Sequence, residues 1–282
     1  MTPELFLDTG GYHRVAKGRH GFVMYNRFDT YIGRSVENYG EFSEYEVDLF
    51  RQLLQANDTV VEVGSNYGTH TLPIARLVGP NGFVHAIEAQ RIVFQALCAT
   101  IALNNLGNVS CYQVAAAAEA GHFFIPQFSY AEEQNYGGME IDREIGGERI
   151  SAVKLDDLVT VSTLRLIKID AEGMEQQVIA GASRLIERHR PLLYVENDRA
   201  AKSPALMRAI AALGYRLYWH IPPMFNPNNF AGNLENIFGG ICSMNMLCLP
   251  RESDFAMDEF QEIQDYDAHP LGPVLQPLRK AG

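Results

Sequence analysis

Val60-Val61-Glu62-Val63-Gly64-Ser65-Asn66-Tyr67-Gly68-Thr69-His70-Thr71 is the stretch on which the reading turns. An apolar run carrying one acid enters a Gly-x-x-x-Gly turn, and a helical pattern follows at once. Strand, tight loop and helix N-terminus in that order form the place where open α/β sheets hold a nucleoside ligand. Gly64 and Gly68 allow a positive φ or a close backbone approach. Pro73 fits the following helix only within its first turn, so that helix begins near Thr69 or His70.

Outward from this point the α/β rhythm repeats. Phe83 to Glu88, Val109 to Val114, Leu164 to Asp170, Leu192 to Asn197, Tyr215 to His220 and Met244 to Leu249 supply six more apolar strands. Amphipathic or capped segments separate most of them. The fold class is therefore α/β: a Rossmann-like seven-stranded sheet with helices on both faces. Before it, the glycine-rich residues 1 to 40 suggest a small antiparallel N-terminal extension. Ser43 followed by Glu46 has the spacing of a capping box for a helix through Leu54. The expected divisions are 1–57 for extension and cap helix, 58–250 for the main domain, and 251–282 for a tail. Residues 119 to 150 lose the rhythm, and two loops there and at 222 to 240 are rich in Gly, Asn and Pro.

Composition narrows the function. With 282 residues and 47% hydrophobic content the chain can bury a large core. A net charge of −11 argues against nucleic acid or an anionic membrane as partner. No apolar run reaches the ~20 residues of a membrane span. The N-terminus has no secretory pattern, and Cys98, Cys111, Cys242 and Cys248 form no C-x-x-C pair, so a cytoplasmic location is expected. Homo-oligomerisation is left open.

Acids close four strands, at Glu62, Glu88, Asp170 and Glu196, where they can accept hydrogen bonds from ribose hydroxyls or an amine. A dinucleotide site wants a second glycine that admits pyrophosphate. Asn66 stands there, and the loop has no Lys or Arg. A phosphate-free cation such as S-adenosylmethionine fits better.

At these residues the chain resembles the FkbM-type methyltransferases of the class I S-adenosylmethionine-dependent superfamily. The resemblance is carried by Tyr39-Gly40-Glu41, Val60 to Thr71, His85 to Ala89, Lys154 to Leu158, Ile167-Lys168-Ile169-Asp170-Ala171-Glu172-Gly173-Met174-Glu175, Arg190 to Asn197, and Asn245 to Cys248. It implies that the last strand is antiparallel and that a methyl group passes to a hydroxyl of a sugar, glycan, polyketide or related small metabolite. Glu62 departs from the family, where Asp is frequent. N-methylation of a small molecule or RNA, and a non-catalytic ligand-sensing or adaptor module, are the alternatives.

Roles follow on that basis. Glu88 bridges the ribose hydroxyls, with Ala89 beside it. Gly64, Ser65, Asn66 and Gly68 line the methionine end, with Glu62 and Thr71. Val114 and Ala115 wall the adenine or simply pack the core. Tyr39 and Glu41 close over the methionine or shape the helix entry. His70 contacts the cofactor or caps its helix. The acceptor hydroxyl needs a base or a metal. Asp170 or Glu172 is the base, with His220 as runner-up, or Asp170, Glu196 and Asn197 hold Mg²⁺. Phe and Asn side chains of residues 222 to 230 are expected to meet the acceptor.

Overall fold

In the computed structural model the described residues are 4–139, 146–255 and 260–272. The expected seven strands assemble into one sheet. They are β4 (Thr59–Val63), β5 (Phe83–Ile87), β6 (Val109–Tyr112), β10 (Leu166–Ile169), β11 (Leu192–Glu196), β12 (Tyr215–His220) and β13 (Asn245–Pro250). Their order is β12-β13-β11-β10-β4-β5-β6. β13 runs antiparallel to both of its neighbours, β11 and β12, and the other ladders are parallel. The strand order reverses direction at β4, so the connections leaving β4 and β10 turn to opposite faces and leave a crevice beyond the C-terminal ends of these two strands.

Parallel strands buried on two faces need apolar residues throughout. Val60, Val61, Leu166, Ile167, Ile169 and Leu193 meet that demand with no more than 0% exposure. One face packs on α5 (Leu155–Leu158), α6 (Glu175–Gly181), α7 (Ser183–His189) and α8 (Ser203–Ala212). The other packs on α2 (Glu44–Leu53), α3 (Thr71–Val78) and α4 (Arg91–Leu103). Pro73 falls in the first turn of α3, as its missing N–H requires.

The N-terminal extension is a three-stranded antiparallel meander of β1 (Glu4–Asp8), β2 (His13–Gly18) and β3 (Gly21–Asn26), followed by α1 (Ile32–Tyr39). Asn104, which caps the C-terminus of α4, fastens β3, accepting from Phe22 N–H (3.0 Å) and donating to Phe22 O (2.7 Å). The irregular region before residue 150 forms a second small sheet of β7 (Ala115–Ala116), β8 (Gly121–Ile125) and β9 (Glu148–Val153). Residues 140–145 of the expected loop, and the tail from 273, lie outside the described residues. The part of the tail that is described packs along β12, with Ile263 buried and Ile263 N–H bonded to Leu217 O.

The capping expectation changes, and Glu172 stands outside the helix that follows it. Ser43 has φ +46 and does not cap α2 with its side chain; its hydroxyl donates instead to Glu46 Oε1 at 2.7 Å. The pair is a buried side-chain contact rather than a capping box, and it turns Glu46 toward the crevice. Glu172 lies before α6, not in its first turn. Its backbone is left-handed, φ +50. Glu175 holds this turn by accepting the N–H groups of Ala171 and Gly173, at 3.2 and 2.8 Å.

Candidate active site

The crevice is a cavity of about 430 Å³ over the C-terminal ends of β10, β4 and β5. Its floor is the β4–α3 loop. Gly64 N–H and Ser65 N–H both reach Ile87 O, at 2.9 and 3.0 Å. Gly64 has φ +79, and a Cβ there would stand 1.8 Å from Asp170 O. Gly68, at φ +85, is pressed against Leu97 and Thr100. Both glycines are thus demanded by the protein's own packing. Gly64 also lines the cavity; Gly68 does not.

Glu88 is 6% exposed, and each carboxylate oxygen is fixed by a backbone donor: Oε2 by Asn66 N–H (2.9 Å), Oε1 by Gln90 N–H (2.8 Å). Burial pushes its pKa up to about 7. Ala89, Val114, Ala115 and Ala116 form a narrow wall beside it. Gln90 belongs to the same wall. Its amide donates to Tyr136 O, which leaves Oε1 buried without a partner. The Asn135–Met139 segment, which Tyr136 holds, covers this side.

Toward β10, Glu62 is fully buried. Its Oε2 accepts from Thr71 Oγ1, whereas Oε1 has no partner. Thr71 therefore serves Glu62 and does not itself line the cavity. Opposite Glu62 in the ladder is Lys168, 2% exposed, with Nζ 3.3 Å from Asp170 Oδ2. Burial opposes its charge, but Asp170, Glu62 and Glu46 together raise its pKa. His70 lies beside them between Phe42 and Phe50; its ring makes no helix cap, its Nε2 is unpartnered, and burial lowers its pKa. Ser65, Asn66, Glu46 and His70 all line this end.

At the mouth Asp170, Glu172 and Glu196 each offer an oxygen within 4.8 Å of the others. Arg199 bonds Glu172 Oε2 (2.6 Å) and Asp198 Oδ2 (3.2 Å). Burial, and then the Asp170 charge, push Glu172 up to about 8 and also raise Glu196 well above the usual carboxylate range. Glu196 Oε2 is buried without a partner. Glu172 is poised to hold a proton near neutral pH.

Four expected residues are placed elsewhere. Asn197 turns its amide to Met246 Sδ (3.2 Å) and stays out of the acidic cluster. His220 bonds Tyr194 Oη through Nδ1 (2.8 Å), packs on Phe260 and does not reach the cavity. Tyr39 and Glu41 clamp the loop at 222–243 instead of lining the crevice. Tyr39 Oη donates to Glu235 O and accepts from Ile237 N–H. Glu41 accepts from Arg19 Nε (2.6 Å), Asn226 Nδ2 (2.8 Å) and Phe230 N–H (2.7 Å). The loop's amides are spent in the same way: Asn229 donates to Asn226 O and Asn233 O. From residues 222–230 only Met224 lines the cavity, and Ile241 to Asn245 supply the rest of that wall.

Pattern reading missed Glu46, Gln90 and Lys168. Glu46 was absorbed by the capping spacing and Lys168 by the strand pattern. A lysine among buried β-residues, two positions before Asp170, was the available signal.

Residues 62–217 match the Methyltransferase FkbM domain family. No curated protein matches the chain significantly. Among solved structures, methyltransferase FkbM from Methylobacillus flagellatus KT shares 14% identity over 72% of this chain and 50% of its own, at a TM-score of 0.47. The chain thus spans about half the length of that relative. An O-methyltransferase from Bacillus cereus in complex with SAH shares 14% over 73% and 80%, at 0.45. M. jannaschii TYW2 in complex with AdoMet shares 13% over 86% and 87%, also at 0.45.

Proposed function

The chain belongs to the FkbM family of S-adenosylmethionine-dependent methyltransferases, and on that premise we propose that it methylates a hydroxyl oxygen of a sugar, glycan, polyketide or related small metabolite. The observation that carries the oxygen chemistry is the convergence of Asp170, Glu172 and Glu196 at the cavity mouth. An alcohol becomes a competent nucleophile as its proton leaves, and a carboxylate whose pKa lies near 8 is suited to take it.

The lining suits the cofactor. Glu88 presents a carboxylate whose orientation is locked by two N–H donors, leaving lone pairs for the ribose diol. Ala89, Val114 and Ala115 leave a slot for a flat base. Glu62 Oε1 is an open acceptor for an ammonium. When bound, the cofactor supplies a methyl group activated on a sulfonium. Asp170 and Glu172 orient the acceptor hydroxyl, and Glu172 receives its proton while Arg199 holds that carboxylate in place.

Asp170, Glu172 and Glu196 are also an oxygen donor set of the kind Mg²⁺ accepts, now without Asn197. Arg199 already supplies positive charge to Glu172, which favours the base reading. The test is methyl transfer to a panel of hydroxylated acceptors, with radiolabelled cofactor, before and after excess EDTA. Oxygen-methylated product with full activity in EDTA supports the base. Activity lost to EDTA and restored by Mg²⁺ assigns the acids to a metal. Exclusively nitrogen-methylated product refutes the proposal.

A further inference from the structure

Seven acids line the cavity: Glu46, Glu62, Glu88, Asp170, Glu172, Glu196 and Asp198. Among the described lining residues the cations are Lys168 and Arg199. Arg199 is held at the mouth by Glu172 and Asp198. Lys168 lies deeper, buried and level with Glu62 in the β4–β10 ladder, and one of its three donors reaches Asp170 Oδ2. Next to it are two buried polar atoms without partners, Glu62 Oε1 and His70 Nε2. A buried ammonium with donors to spare, an open carboxylate oxygen and an open imidazole nitrogen together match a zwitterionic amino acid. An anionic group entering so acidic a cavity needs a cation, and a buried charge pair holds only when it is also hydrogen-bonded.

We propose that Lys168 anchors the α-carboxylate of the cofactor's amino acid end, across the ladder from the Glu62 oxygen already assigned to the α-ammonium. The assignment rests on reading the cavity as an S-adenosylmethionine site. It gives the lysine of the Lys168-Ile169-Asp170 run a binding role, and it makes the Lys168–Glu62 pair selective for cofactors that retain the carboxylate.

Calorimetry of the full chain with S-adenosylhomocysteine and with 5′-methylthioadenosine, which lacks the amino acid, separates the possibilities. Lys168→Met is expected to weaken S-adenosylhomocysteine about 10- to 100-fold, the range of a charge-assisted hydrogen bond. Methylthioadenosine is expected to change less than about twofold, because it makes no contact there. Equal losses for both ligands, or no loss for either, overturn the assignment while leaving the cofactor reading intact. Native protein that binds neither ligand overturns both. Removing Lys168 leaves acids facing one another, so a variant that does not fold is covered by a crystal of the native protein with S-adenosylhomocysteine. A carboxylate oxygen within about 3.5 Å of Lys168 Nζ supports the assignment, and one beyond roughly 6 Å refutes it.

Discussion

Glu88→Gln tests two consequences of the same buried carboxyl. Both oxygens of Glu88 accept backbone N–H bonds, from Asn66 and Gln90. An amide keeps the shape but puts an NH₂ group against one of those donors. That orphaned contact costs about 1–3 kcal/mol of stability. The pH dependence moves separately. Burial raises the Glu88 pKa from 4.5 to about 7, so the folded state binds its proton more tightly than the unfolded chain. The stabilisation is complete below the unfolded value near 4.5 and is lost as pH rises through about 7. At ~1.36 kcal/mol per pH unit the swing is on the order of 3 kcal/mol. Urea unfolding of both proteins between pH 5 and 8 measures it. The gap between native and variant is expected to narrow as pH rises, because the native protein alone bears the cost of the buried charge. Cofactor affinity moves the other way: at pH 8 the variant is expected to bind S-adenosylhomocysteine about 10- to 100-fold more weakly, having lost a charged acceptor for the ribose. Parallel stability curves, with unchanged affinity, would refute the placement of Glu88 as a buried ribose ligand.

Gly64→Ala forces a Cβ to within 1.8 Å of Asp170 O at φ +79. It is expected to cost at least about 3 kcal/mol in urea denaturation, or to give insoluble protein. Glu172→Gln is expected to remove the rise of kcat/KM with pH that the acidic cluster gives the native enzyme. With Glu172 as the proposed base, that rise is expected to have its midpoint near 8, since a base works only deprotonated and burial raises this carboxyl to about 8; a pH–rate profile decides, and an unchanged midpoint in the variant would count against Glu172. Glu41→Ala cuts three hydrogen bonds to Arg19, Asn226 and Phe230. Limited proteolysis should then cleave within residues 222–243 and KM for the acceptor should rise several-fold, while the affinity for S-adenosylhomocysteine stays within about twofold.

Much of the fold was legible because it depends on patterns local in the chain. Seven apolar runs, each ending in polar or glycine-rich segments, could only pair as a sheet, and the acids at Glu62, Glu88, Asp170 and Glu196 marked the end of it that holds the crevice. The Lys168 to Glu175 run and the Val60 to Thr71 loop carried the family resemblance. What stayed illegible depends on which residues become neighbours across the sheet. Glu62, Lys168 and Tyr194 stand side by side only because β4, β10 and β11 are in register, and no spacing in the sequence encodes that. The same holds for Glu46, whose three-residue spacing from Ser43 suits a helix cap as well as a cavity wall. Asn197 directly follows Glu196, yet it turns to Met246 while Glu196 faces the acids, because consecutive strand-end residues point to opposite sides. Tyr39 and Glu41 went to the loop at 222–243, almost two hundred residues away. The sequence determined the strands, the glycine loop after β4 and the acids that close the strands; the long-range packing alone decided which side chains share the cavity, since alternation assigns a face but not the partner across it.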